Sequence, residues 1–212
     1  MNAFLVSGPA SPSDRFLCAH GAGSGMTTPF LGAVAAALAE RGIATLRFEF
    51  AYLAARKGGA RRPPPRAEHL MHEYLAAAAA APADCPLLIG GKSMGGRVAS
   101  LVADRLYAEG RIAGLICLGY PFHPPNKPSQ LRTAHLEGLT CPALIVQGER
   151  DPFGSRAEVE RYPLSAAIRL HWAGDGDHDL GPRGGSGHTR RGNLAAAADA
   201  IAAFAAALRV RP

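Results

Sequence analysis

Pro86-Leu87-Leu88-Ile89-Gly90-Gly91-Lys92-Ser93-Met94-Gly95-Gly96-Arg97-Val98-Ala99 decides how this chain is read. A short apolar run, Leu87–Ile89, has the length of a buried strand, and Gly95–Glu109 has the composition and spacing of a helix. Between them stands G-x-S-x-G, with Ser93 at its centre. A serine on so abrupt a strand-to-helix turn sits in a strained backbone, and Gly91 and Gly95 occupy positions where a Cβ would strike the neighbouring turn. Ser93 is thereby lifted above the sheet as a candidate nucleophile. The Met94 amide and the amino end of the helix point at the place where an oxyanion would develop. Gly91-Lys92-Ser93 also imitates the end of a phosphate-binding G-x-x-x-x-G-K-S loop, but Pro86 stands where that loop needs its first glycine. The bland alternative is a serine capping a helix among glycines.

Outward from this stretch, short β-forming runs alternate with helical segments. Strands are expected at Phe16–Ala19, Ile43–Phe50, Leu87–Ile89, Ala113–Gly119, Ala143–Gln147 and Ala167–Trp172. Helices are expected at Phe30–Glu40, Glu68–Ala81, Gly95–Glu109, Ala157–Tyr162 and Asn193–Leu208. Buried parallel strands joined by helical crossovers need helices on both faces, which predicts a three-layer α/β/α sandwich around a mostly parallel sheet. Proline and glycine mark loops at Lys57–Arg66, Pro121–Pro128 and Gly174–Gly187, each after a strand. They therefore lie at the carboxyl edge of the sheet, where open parallel sheets bind ligands. No 20 to 50 residue repeat or composition break divides the 212 residues, so residues 1–212 read as one domain.

Two further stretches end at the same edge. Pro142–Phe153 carries an apolar strand into a turn bearing Asp151, with Glu149 as a competing carboxylate. Ile168–Leu180 opens a strand into a Gly/Asp loop carrying His178, read as flexible so that an imidazole can reach over Ser93, whereas His171 belongs to the strand itself. Ser93, Asp151 and His178 then form a candidate catalytic set: nucleophile, acid and general base. Their order along the chain, Ser, Asp, His, differs from that of chymotrypsin-type and subtilisin-type proteases. Phe16–Gly25 ends a strand in His20-Gly21-Ala22-Gly23, which offers the Ala22 amide as a second oxyanion donor or else merely turns the chain into the next helix. Tyr52, Phe122 and His123 follow strands and are candidates for lining a substrate pocket. His69, His72 and Glu73 share a helical face but match neither H-E-x-x-H nor H-x-x-E-H, so no metal site is expected.

Composition narrows the class. The formal charge of +6 raises the question of a nucleic-acid partner, yet nearly every basic residue is arginine beside abundant alanine, glycine and proline, a pattern of G+C-rich coding, and none is expected. One local cluster, Arg56-Lys57 through Arg61, Arg62 and Arg66, either attracts an anionic substrate or is a solvated loop. Cys18, Cys85, Cys117 and Cys141 lie in or beside apolar runs without a C-x-x-C pair, as small buried residues in a reducing compartment. With no signal-like amino terminus and no stretch of 18 apolar residues, a cytoplasmic protein without membrane contact is expected. A monomer and a simple dimer fit equally well.

With these residues in place, the chain resembles the α/β-hydrolase superfamily, and within it the small dienelactone-hydrolase-like group related to the testis-expressed hydrolase family. The blocks carrying the resemblance are His20-Gly21-Ala22-Gly23, Arg47-Phe48-Glu49-Phe50, Arg62-Pro63-Pro64-Pro65-Arg66, Gly91–Arg97, Gly119–Pro124 and Gln147–Gly154. The resemblance implies a minimal α/β-hydrolase fold without a large lid, a nucleophile at Ser93, an acid at Asp151, a base at His178, and no metal or organic cofactor. Dienelactone hydrolases proper use cysteine where this chain has Ser93, so a small carboxylic ester or thioester, rather than dienelactone, is the expected substrate. The alternative is an interaction module that kept the fold without the activity.

Overall fold

The computed structural model describes residues 4–53 and 63–210. Seven strands form one sheet: β1 (Leu5–Ser7), β2 (Asp14–Ala19), β3 (Ile43–Phe48), β4 (Leu87–Lys92), β5 (Gly114–Leu118), β6 (Ala143–Gly148) and β7 (Ile168–Ala173). Their order across the sheet is β1-β3-β2-β4-β5-β6-β7, and every pairing is parallel except β1 with β3. The helices are α1 (Pro29–Ala39), a 3₁₀ turn (Ala67–Leu70) leading directly into α2 (Met71–Ala80), α3 (Met94–Ala108), α4 (Ala134–Glu137), α5 (Arg156–Val159) and α6 (Arg190–Arg209).

The three layers follow from alternation along the strands. Phe16 and Cys18 of β2, Leu88 of β4, Ile116 of β5 and Leu144 of β6 face α1 and α6, packing against Leu31, Leu38, Ile201 and Phe204. Their neighbours Leu17, Ile89, Leu115, Cys117 and Ile145 face the other way, against Tyr74 of α2 and Val98, Val102 and Leu106 of α3. β2, β4, β5 and β6 are buried throughout, as central parallel strands must be.

Most of the expected elements are present with shifted ends. β3 stops at Phe48 rather than Phe50, because the Phe50 amide leaves the ladder and donates to His20 Nε2 (3.1 Å). The helix expected over Ala157–Tyr162 is a single turn, opened by a capping box between Ser155 and Glu158. α6 begins three residues before the expected Asn193, where the Thr189 hydroxyl caps the Gly192 amide (3.0 Å). The antiparallel edge strand β1 has no counterpart among the expected strands. Between β5 and β6 the only helix is the four-residue α4, so among the described residues no large lid covers the sheet edge.

The chain runs from β2 outward to β3, returns to β4 on the other side of β2, and thereafter winds the opposite way. The loops leaving β2 and β4 therefore diverge, and a crevice opens between them at the carboxyl edge.

Candidate active site

Ser93 follows β4 with φ 51° and ψ −116°, a backbone region that side chains avoid. Its amide donates to the Leu118 carbonyl (3.0 Å) and its carbonyl accepts from the Arg97 amide (3.0 Å), so the turn is fixed on both sides. A Cβ on Gly95 would lie 2.6 Å from the carbonyl oxygens of both Ala19 and His20, and one on Gly96 2.8 Å from the Gly91 carbonyl. The glycines let α3 press against the end of β2, which brings the loop after β2 beside the serine. A Cβ on Gly21 would lie 3.7 Å from the Ser93 Cβ, and Ala22, Ser93 and Met94 line one cavity of about 370 Å³. The Met94 amide opens α3, where helical amides have no partner within the helix.

His20 holds that loop. The wholly buried ring donates through Nδ1 to the Gly21 carbonyl (2.7 Å) and accepts at Nε2 from Phe50, roles that require the neutral tautomer. Tyr52 packs against His20 and donates to the Ala22 carbonyl (3.1 Å). It is a buttress of the loop and is absent from the cavity's described lining.

Asp151 and His178 meet. His178 Nδ1 donates to Asp151 Oδ2 at 2.8 Å, and the carboxylate is wholly buried. Asp151 also accepts from the Phe153 amide on Oδ1 (2.9 Å) and from Gln147 Nε2 on Oδ2 (2.9 Å). Glu149, the competing acid, is engaged elsewhere: it accepts from the Asp175 amide (2.8 Å) and pairs with Arg156 (3.0 Å), and these partners, the amide first, hold its carboxyl below the usual range. His178 packs against Phe153 with the rings tilted by 34° and their centroids 4.3 Å apart, while Nδ1 is the nitrogen turned to Asp151.

The loop bearing His178 is pinned, not flexible as its glycines suggested. Asp177 Oδ1 accepts from the Asp179 and Gly181 amides (2.9 and 2.8 Å), and Asn193 Nδ2 ties the Gly174 and Leu180 carbonyls to α6 (both 2.9 Å). Lys92, the residue before Ser93, donates to the His178 carbonyl (2.6 Å) and pairs with Asp179 (3.2 Å). Burial pushes the Lys92 ammonium below its usual range, against the opposing pull of Asp179 and Asp151. Gly119, at the end of β5, lies beneath both groups: a Cβ there would be 3.0 Å from Lys92 Nζ and 3.2 Å from His178 Nδ1.

Two expected pocket residues are elsewhere. Phe122 is wholly buried between Tyr120 and Tyr162, and His123 is 3% exposed, with Nδ1 donating to the Pro124 carbonyl (2.8 Å). The loop after β5 turns its apolar side chains into the core below α5, leaving Pro121 and, from the next loop, Phe153 to face the cavity. Sequence reasoning missed Gln147, Lys92, Arg97 and Arg132. Gln147 and Lys92 each carried a signal, a polar side chain on a strand otherwise wholly apolar.

A mostly parallel sheet with a strained serine turn at its switch point and an aspartate-held histidine after the last strand matches the α/β-hydrolase class. The chain belongs to the alpha/beta hydrolase domain family, whose profile it matches over residues 12–206. Solved structures of the same fold include dienelactone hydrolase from Anabaena variabilis (21% identity, TM-score 0.69, covering 94% of this chain and 88% of that one). The esterase domain of a Rhodothermus marinus protein is similar (17%, 0.64, 98% and 92%), as is an alpha-beta serine hydrolase homologue from Coxiella burnetii (18%, 0.62, 84% and 83%).

Proposed function

We propose that the protein is a serine hydrolase that cleaves a small carboxylic ester or thioester through an acyl-enzyme. Ser93 Oγ attacks the carbonyl carbon, and His178 Nε2 accepts its proton and passes it to the leaving alcohol or thiol. Asp151 fixes the imidazole with Nδ1 protonated and Nε2 free to act as base. The amides of Met94 and Ala22 receive the oxyanion, and water repeats the sequence to release the acid. The observation that carries this reading is the 2.8 Å bond from His178 Nδ1 to a carboxylate with no exposure, at the sheet edge where Ser93 stands. Dienelactone hydrolase and esterase structures of the same fold support it. The four cysteines are unpaired thiols, three of them buried, in keeping with the proposed cytoplasmic location.

Labelling with a fluorescent fluorophosphonate, with the adduct located by peptide mass spectrometry, tests the proposal. The adduct is expected on Ser93 and is expected to vanish in Ser93→Ala and His178→Ala. A folded wild-type protein that takes no label would overturn it and favour an interaction module.

A further inference from the structure

The cavity beside Ser93 is cationic. Arg66, Arg97 and Arg132 all line it, together with Met94, Pro121 and Phe153. Among the described residues one carboxylate answers these three charges, Glu68, which pairs with Arg97. Arg97 Nε is buried without a hydrogen-bond partner, and neither Arg66 nor Arg132 has a salt bridge among the described residues. Burial, and then the Arg97 charge, push the Arg132 guanidinium below its ordinary range.

The backbones of Arg97 and Arg132 are fixed beside the serine turn and the loop after β5. Arg97 lies one helical turn from Ser93, its amide on the Ser93 carbonyl (3.0 Å). Arg132 donates its own amide to the Phe122 carbonyl (2.8 Å) and accepts the Tyr120 hydroxyl on its carbonyl (2.9 Å). Like charges gathered in a half-buried cleft with spare donors are unfavourable until an anion joins them, and the guanidinium fork matches carboxylate and phosphate oxygens. We propose that this cavity selects esters carrying a second, oxyanionic group, a carboxylate or a phosphate, held between Arg97 and Arg132 with Arg66 at the rim. The proposal rests on the serine-hydrolase reading for its chemistry, which it leaves unchanged: the anionic group positions the substrate while the ester C–O bond breaks and water supplies the new hydroxyl.

The test compares mono(4-nitrophenyl) glutarate with its neutral methyl ester, uncatalysed hydrolysis subtracted. Wild-type kcat/KM is expected to favour the anionic ester by about tenfold or more, as charged hydrogen bonds of this kind are worth. That advantage is expected to collapse in Arg132→Gln and Arg97→Gln, chiefly through KM, to survive in part in Arg132→Lys, and to shrink with added salt. Equal or better turnover of the neutral ester by wild-type protein would overturn the proposal. Turnover of neither ester would count against the hydrolase reading alone, because calorimetry on Ser93→Ala with glutarate and with inorganic phosphate reads the anion site separately. Binding that Arg132→Gln abolishes sustains the site and assigns it to carboxylate or phosphate; binding of neither overturns it.

Discussion

Lys92 Nζ lies 2.6 Å from the carbonyl oxygen of His178, so the residue preceding the candidate nucleophile holds the backbone of the candidate base. The same ammonium pairs with Asp179, and its side chain is only 8% exposed. It is a positioning residue: it ties the end of β4 to the loop after β7, across the top of β5 and β6.

Replacing it should show in two readouts. In Lys92→Met the His178 loop loses its tether to β4, and kcat should fall by about tenfold or more with KM less affected. Stability carries a sign as well. The folded-state pKa of Lys92 is depressed below its ordinary 10.5, so in that interval the unfolded chain binds the proton that the native one has lost. Stability contributed by this group therefore rises as pH increases through the folded pKa toward 10.5 and is lost as pH falls. Urea unfolding from pH 7 upward should show wild type gaining on Lys92→Met as pH rises.

Ser93 occupies φ 51° only because the elbow demands it. Glycine adopts that conformation without strain, and Ser93→Gly should raise stability by about 1 kcal/mol while abolishing turnover. Thermal unfolding alongside an ester assay checks both halves. A destabilised Ser93→Gly would mean the turn carries no strain.

Gly95→Ala places a methyl group against two backbone carbonyls, those of Ala19 and His20, that cannot retreat without moving the loop after β2. A loss of about 1–3 kcal/mol is expected, the range for overpacked sites, with a disproportionate fall in kcat because the Ala22 amide moves with the loop. Denaturant midpoints and kinetics on the same preparation separate the two effects.

Gln147 is wholly buried and serves four groups: it accepts from the Tyr120 amide (2.7 Å) and shares its two amide hydrogens among Asp151 and the Tyr120 and Gly154 carbonyls. Gln147→Met strands the Tyr120 amide and the Gly154 carbonyl, each left unsatisfied at about 1–3 kcal/mol, and weakens the hold on Asp151, so severe destabilisation is expected. Gln147→Glu keeps the shape but sets a second carboxyl against Asp151. It loses the amide donors as Gln147→Met does and should also lower the melting temperature, but it alone should displace the pH–rate profile, which distinguishes an electrostatic role from a packing one.

The amino-acid sequence by itself determined the layer order, because alternation of apolar runs with helical segments is a local pattern, and it determined the serine turn, because the glycines flanking Ser93 answer to backbone sterics within a few residues. It also separated His178 from His171, since only the former follows the strand. What the tertiary structure decided depends on contacts between distant segments. The sequence already favours Asp151 over Glu149, but that Asp151 meets an imidazole from the loop after another strand while Glu149 pairs with Arg156 is a tertiary fact. The stiffness of the His178 loop comes from Lys92 and Asn193, on other elements. The inward turn of Phe122 and the meeting of Arg97 with Arg132 at one cavity follow from how the loop after β5 packs on α3 and α5. Periodicity and turn chemistry are written within a few residues of themselves, whereas side-chain pairing across a sheet edge is fixed only once the strands take their order.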